Sequence, residues 1–426
     1  MVSSNPLFLI LLLLLLIVLT HCSSLDDDLS NDQPNGFFLP FESNLYVEIT
    51  IGTPTRTFNL KLDSSTHLTC LDNDDDHQCS LSDKSSNTFS TISCNSSSLC
   101  PHVSTNSTDH YNATTTKTTS LSLLCTPSDF CRYEASPSSS GYLVSDTLQL
   151  TSSITDQENS LSIVRGFVFG CGTSNRASPE EDGGGVDGRV SLTTHRFSLL
   201  SQLRLTRFSH CLWPSTSGSR NYIRLGSVAA YGGDMILVPM LNTTGTEAYS
   251  YHVSLFGISL GQQRISNESS GIAIDIGTYY TSLDPLLYEE VKEELMTQIG
   301  PTTVYKVNEL MCFTTEVGFD IDSLPKLTLH FQGFDYTISN KGLYLRDSPS
   351  SLCTALVRSS MENEERVNVL GASALVDHAV GYDTSQRMLA FQQRDCLADF
   401  VDDIIITKAM FVTVLINTTS DAEDCT

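Results

Sequence analysis

A chain of 426 residues with 49 acidic and 24 basic side chains carries a net charge of −25, which excludes nucleic acid and anionic membrane surfaces as natural partners. Charged residues make up 17% and hydrophobic residues 40%, so a chain of this length is expected to build two or three domains around real cores. An acidic surface also suits an acidic compartment, where partial protonation of carboxylates relieves self-repulsion.

Residues 1–24 read as a secretory signal peptide. Leu7 to Thr20 is almost wholly Leu, Ile, Val and Phe, and the small Ser23 and Ser24 follow. The stretch is short for a membrane span, and no Lys or Arg precedes it, so a signal anchor stays open as the alternative. Cys22 leaves with the signal, and 12 of the 13 cysteines remain, enough for six disulfides in an oxidising compartment. Sequons at Asn95, Asn106, Asn112, Asn242, Asn267 and Asn417 predict a glycosylated surface. The expected location is the secretory pathway, ending outside the cell (the apoplast) or in a vacuole.

Residues 25–44 are acidic and contain Pro and Gly, and read as a short extended leader. Strand alternation begins at Tyr46–Ile51, turns at Gly52-Thr53-Pro54 and resumes over Thr57–Leu62. Residues 72–131 are rich in Ser, Thr, Asn and Cys, which predicts a loop insert stapled by Cys79, Cys94, Cys100, Cys125 and Cys131. Short β-patterned runs recur later, such as Gly166–Gly170 and Lys326–Phe331. One good helix is predicted over Pro285–Gln298, with Pro near its start and Leu, Tyr, Val and Leu at helical spacing. The sum is a mostly β protein of two lobes, 45–235 and 236–396, joined near 230–245 and followed by a tail, 397–426. Within the tail, Ile404–Ile416 is apolar but broken by Lys408 and too short to span a bilayer, so it reads as an extra strand or packing segment. No HExxH or CxxC occurs, and Gly183-Gly184-Gly185 lacks the Gly-Lys-Ser/Thr of a phosphate cradle, so no metal or cofactor is expected.

One pattern occurs twice. The chain reads Leu60-Lys61-Leu62-Asp63-Ser64-Ser65-Thr66 and, 212 residues on, Ile272-Ala273-Ile274-Asp275-Ile276-Gly277-Thr278. Each is an apolar strand ending in a lone Asp before a tight small or hydroxylic turn. Two such carboxylates, one per lobe, can share one proton and one water, the basis of acid peptide hydrolysis.

With these motifs, other landmarks resemble the plant pepsin-like aspartic proteases of the nepenthesin type. They are Tyr46–Pro54, Phe167–Gly172, Phe208–Leu212, Cys312-Phe313, Pro325–Phe331, Val369-Leu370-Gly371 and Asp395-Cys396, so the resemblance runs from about Leu45 to Cys396. It implies a bilobal β fold around a central cleft, with Asp63 and Asp275 as the catalytic pair. Ser64, Ser65, Thr66, Gly277 and Thr278 would form the supporting loops. It further implies a Cys312–Cys353 disulfide, a monomer, and a polypeptide substrate or protein ligand in the cleft.

The same resemblance exposes departures. Ser65 replaces a turn glycine, where a Cβ is expected to strain the backbone. Ile276 stands where a Ser or Thr hydroxyl joins a network across the lobes, so at least half of that network is expected to be missing. The apolar-apolar-Gly segment that closes the first loop is matched by Gly188–Thr193, with Arg189 in place of an aliphatic residue and Ser191 and Thr193 in place of glycines. The hairpin after Cys131-Arg132-Tyr133 looks shortened and lacks its second Tyr. Cys70 stands where Trp is usual and reads as structural. Two functions follow: an acid endopeptidase of reduced activity, or an inactive homologue acting as a binding or inhibitor protein, as in xylanase-inhibitor-like proteins and pepsin-fold seed globulins.

Overall fold

A computed structural model describes residues 36–41, 45–71, 86–94, 99–100, 121–126, 128–136, 139–153, 159–173, 186–213, 221–243, 250–359 and 368–396. The expected signal peptide, the C-terminal tail and the sequons at Asn95, Asn106, Asn112 and Asn417 lie outside them. Asn242 and Asn267 lie within them and are exposed.

Strands dominate because apolar residues alternate. In Arg56–Asp63, Phe58, Leu60 and Leu62 enter the core, while Thr57, Asn59 and Lys61 face away from it. This strand pairs antiparallel with Tyr46–Ile51 on one side and parallel with Gly188–Ser191 on the other. Large sheets of this kind bury one face and leave the other wet. The helix Pro285–Ile299 has its predicted start. Asp284 caps it by accepting from the amides of Leu286 and Leu287, and Leu287, Tyr288, Val291 and Leu295 form its buried stripe.

Gly36–Phe41, inside the span read as leader, is a strand. Its alternating Phe37, Leu39 and Phe41 are buried, and it sits between Tyr46–Ile51 and Asn221–Gly226. Within the span read as leader, Gly36–Phe41 is therefore part of the fold. Two further strands, His378–Asp383 and Met388–Gln393, come from the end of the C-terminal half, yet they extend the N-terminal sheet by pairing through Arg207–Cys211. The Cys211–Cys396 disulfide fastens the same junction. The halves thus share a sheet as well as the connection near 230–245. Separate eight- and four-stranded sheets complete the C-terminal half among the described residues, and the Cys312–Cys353 disulfide lies in the four-stranded one. Cys94–Cys125 and Cys100–Cys131 staple the N-terminal insert.

Each half repeats one small device. A strand ending in Asp runs parallel to a later strand, with Asp63 beside Ser191 and Asp275 beside Gly371. In the C-terminal copy the fit is close. A Cβ on Gly371 would lie 2.4 Å from the Tyr280 carbonyl oxygen and 2.8 Å from that of Thr278. We expect Gly371→Ala to lower unfolding free energy by about 2 kcal/mol, as overpacking does, and to loosen the Asp275 loop. Denaturant unfolding of the two proteins measures it, and equal midpoints would refute the close packing.

Candidate active site

The two strand ends meet. Gly277 packs so closely on the first loop that a Cβ there would stand 2.9 Å from the Asp63 Cα and 3.2 Å from its carboxyl carbon. Both aspartates are buried. The structure brings Asp63, Asp275, Ser64, Ser65, Thr66, Gly277 and Thr278 into one place.

The Asp275 carboxylate is held by its own loop and by the opposite one. Its Oδ1 accepts from the Gly277 amide at 2.9 Å and from the Ser64 hydroxyl at 2.9 Å. Its Oδ2 accepts from the Thr278 hydroxyl at 2.7 Å. Burial raises its pKa above the usual carboxylate range, and the negative charge of Asp63 adds to that. The hydrogen bonds from Thr278, Gly277 and Ser64 pull the other way. Asp275 is thereby suited to the protonated, proton-donating half of a pair.

Asp63 is held differently. Its Oδ1 accepts from the Ser65 amide, the Ser65 hydroxyl and the Thr66 amide, each at 2.8 Å. By the symmetry of the two loops, Thr66 should offer its hydroxyl to Oδ2 as Thr278 does. Instead the buried Thr66 Oγ1 has no hydrogen-bond partner among the described residues. Oδ2 accepts from Arg189 Nη1 at 3.1 Å, an ion pair between a buried carboxylate and an arginine side chain that is 41% exposed. Arg189 occupies the place of Val369 in the other half: Arg189 lies beside Lys61, and Val369 beside Ala273.

Other departures have visible consequences. Ser65 does not strain the turn as expected: its φ is not positive, and its side chain is exposed and bonded to Asp63. Ser191 and Thr193 hydrogen-bond to each other, and the Ser191 hydroxyl also donates to the Thr66 carbonyl. Those hydroxyls occupy room that the glycines of the family pattern leave open. Ile276 is fully buried and offers no hydroxyl, so of these two loop positions Ser64 supplies the bridging hydroxyl, accepting from the Ile276 amide at 3.2 Å and donating to the Ile274 carbonyl at 3.3 Å. Sequence reasoning registered the loss at Ile276 but missed that Ser64 also grips Asp275. The hairpin of Cys131–Ser136 and Ser139–Ser153 closes by pairing Ser136 with Ser139, so it is short. Cys70 is buried in the adjoining core. One grouping of metal-type donors occurs among the described residues, Cys94, Cys100 and Cys125, and disulfides engage all three.

A two-lobed β fold whose repeated strand–loop devices present facing aspartates defines a pepsin-like protein. The profile described as Xylanase inhibitor N-terminal matches residues 45–227, and that described as Xylanase inhibitor C-terminal matches 250–393. The chain belongs to the plant pepsin-like aspartic protease family. Aspartic proteinase nepenthesin-1 of Nepenthes gracilis is 26% identical over 377 residues, covering 82% of this chain and 77% of the relative. Among solved structures, conglutin gamma, a basic 7S globulin from lupine seeds, superposes with a TM-score of 0.65 at 19% identity, over 86% of this chain and 97% of that one. The aspartic proteinase of Irpex lacteus gives 0.58 at 16% identity, over 84% and 97%. At those identities the two structures establish the fold alone.

Proposed function

We propose that this chain is a secreted family member that binds polypeptide between its lobes as a monomer and hydrolyses it poorly, without cofactor or metal. The observation that carries this reading is the Arg189–Asp63 ion pair. In an acid protease one carboxylate acts as general base on a water while the other donates a proton to the scissile carbonyl. Here the Asp63 oxygen left free by its own loop is already taken by a guanidinium. Asp63 and Asp275 still converge, and Asp275 still has its full set of donors, which supports residual rather than abolished chemistry. The short hairpin supports weak closure over a bound chain. The apolar N-terminal segment, the cysteine content and the sequons support passage through the secretory pathway.

The test is cleavage of a denatured protein across the acidic range, with and without pepstatin, for the wild type and Asp63→Asn. Slow, pepstatin-sensitive cleavage absent from Asp63→Asn is expected. Turnover equal to that of nepenthesin-1 in the same assay would overturn the proposal. Complete absence of cleavage would remove its hydrolytic half and leave a binding protein on the same scaffold.

A further inference from the structure

Side chains two apart on a strand share a face. Lys61 therefore lies on the same face as Asp63, opposite the buried Leu60 and Leu62. Arg189 is the in-register neighbour of Lys61 on the adjoining parallel strand, while the next residue, Val190, enters the core. Lys61 and Arg189 thus stand side by side on the cleft face, immediately before the aspartate. On the other neighbouring strand, Tyr46 lies beside Lys61 and Glu48 beside Asn59, and Asp187, two residues before Arg189, accepts from the Asn59 amide at 2.7 Å, so an aromatic ring and two acids bound the two cations. The other half of the site has nothing similar: the matching pair is Ala273 and Val369. In a chain with twice as many acidic as basic residues, two adjacent cations facing the cleft on one side only are a selective feature.

The structure also contains a carboxylate gripped at this spot. Arg189 Nη1 holds Asp63 Oδ2 at 3.1 Å, while the Arg189 side chain as a whole is 41% exposed. We propose that Lys61 and Arg189 form the recognition site for a side-chain carboxylate of an acidic polypeptide, and that this carboxylate draws Arg189 away from Asp63. One guanidinium–carboxylate contact then replaces another. Asp63 keeps its three donors on Oδ1, from Ser65 and Thr66, so its loop stays in place when Oδ2 is released. Lys61, in register with Arg189 on the same face, adds a second positive charge beside a ligand carboxylate. Selection of acidic chains and release of the catalytic oxygen are then one event. This inference rests on the reading of the cleft as a polypeptide site.

Its test uses two unstructured decapeptides with one apolar, uncharged sequence, differing only in a central Glu or Gln. Binding is measured by calorimetry to the full chain carrying Asp275→Asn, so that cleavage does not intrude. The Glu peptide is expected to bind about tenfold more tightly, the scale of one charge-assisted contact. Adding Arg189→Met should remove most of that preference, and adding Lys61→Met should reduce it by a few fold. Lys61→Met leaves the Asp63 contact intact, so it still decides the matter if Arg189→Met fails to fold. Equal binding of both peptides, or an unchanged preference in Lys61→Met, would overturn the carboxylate site while leaving the cleft reading in place. Binding of neither peptide would overturn both.

Discussion

Combining Arg189→Val with Ile276→Thr is expected to raise acid peptide-bond hydrolysis by about 100-fold over the wild type, the lower end of what a general acid–base group contributes. The two changes act on different defects. Arg189→Val would reproduce the situation at Val369 of the other half, freeing Asp63 Oδ2 for the Thr66 hydroxyl and for water. Ile276→Thr would add a second bridging hydroxyl to that of Ser64. Ser64 accepts from the Ile276 amide and donates to the Ile274 carbonyl. Exchanging the halves, the hydroxyl introduced by Ile276→Thr would accept from the Ser64 amide and donate to the Leu62 carbonyl. The Ser64 amide now makes only a long contact of 3.4 Å with Asp275 Oδ1, so it is available for that role. Catalytic parts that act as a unit are not additive, and the double variant should exceed the product of the single ones. Initial rates on a denatured protein at acidic pH, with pepstatin as control, read the result. No gain in a folded double variant would show that the Arg189 ion pair and the missing hydroxyl do not limit this site. Full family-level turnover is not expected, because the short hairpin between Ser136 and Ser139 remains.

Much of this site was legible in the sequence because it is local and repeated. Asp63 and Asp275 each end an apolar strand, and the match of Gly188–Thr193 to the loop-closing segment puts Arg189 beside the first of them. That the guanidinium takes the second carboxylate oxygen, displacing the Thr66 hydroxyl, depends on distances that spacing does not contain. Lys61 was readable from period-two alternation with Asp63, yet an ordinary Lys in a strand carries no signal until Arg189 lies beside it. Gly36–Phe41 was read as leader because its partner, Asn221–Gly226, lies nearly half the chain away. Long-range pairing leaves no mark on a short window. The same reason hid the shared sheet: Arg207–Cys211 is paired on both sides and buried on both faces, so the alternation that identifies half-exposed strands is missing.

That shared sheet carries the second large expectation, a loss of stability in acid traceable to His210. The His210 ring lies fully buried between Ile223 and Val380 of the flanking strands, with Nε2 at 3.0 Å from the Tyr382 hydroxyl. Its Nδ1 has no hydrogen-bond partner among the described residues. Burial, with a smaller contribution from the positive charge of Arg224, lowers its pKa from 6.5 to about 3. Near pH 4 the unfolded chain therefore binds a proton that the folded chain refuses. The unfolded state then holds more protons, so stability falls as pH falls from about 6.5 toward 3. The difference amounts to about 3 kcal/mol near pH 4. His195, lowered to about 4 chiefly by burial, acts in the same direction. Asp275 acts oppositely: its raised pKa gives stability that is present in acid and lost as pH rises through the folded value. His210→Gln keeps a polar partner for Tyr382 without a titrating ring, and comparison with the wild type isolates the histidine. Denaturant unfolding of both at neutral pH and near pH 4 should show the wild type losing about 3 kcal/mol more than the variant. Parallel losses would refute the assignment. A sheet that joins the halves and weakens in acid limits how far any recovered acid activity can be used. The Arg189→Val, Ile276→Thr protein should therefore work best at mildly acidic pH, and adding His210→Gln should extend its working range downward.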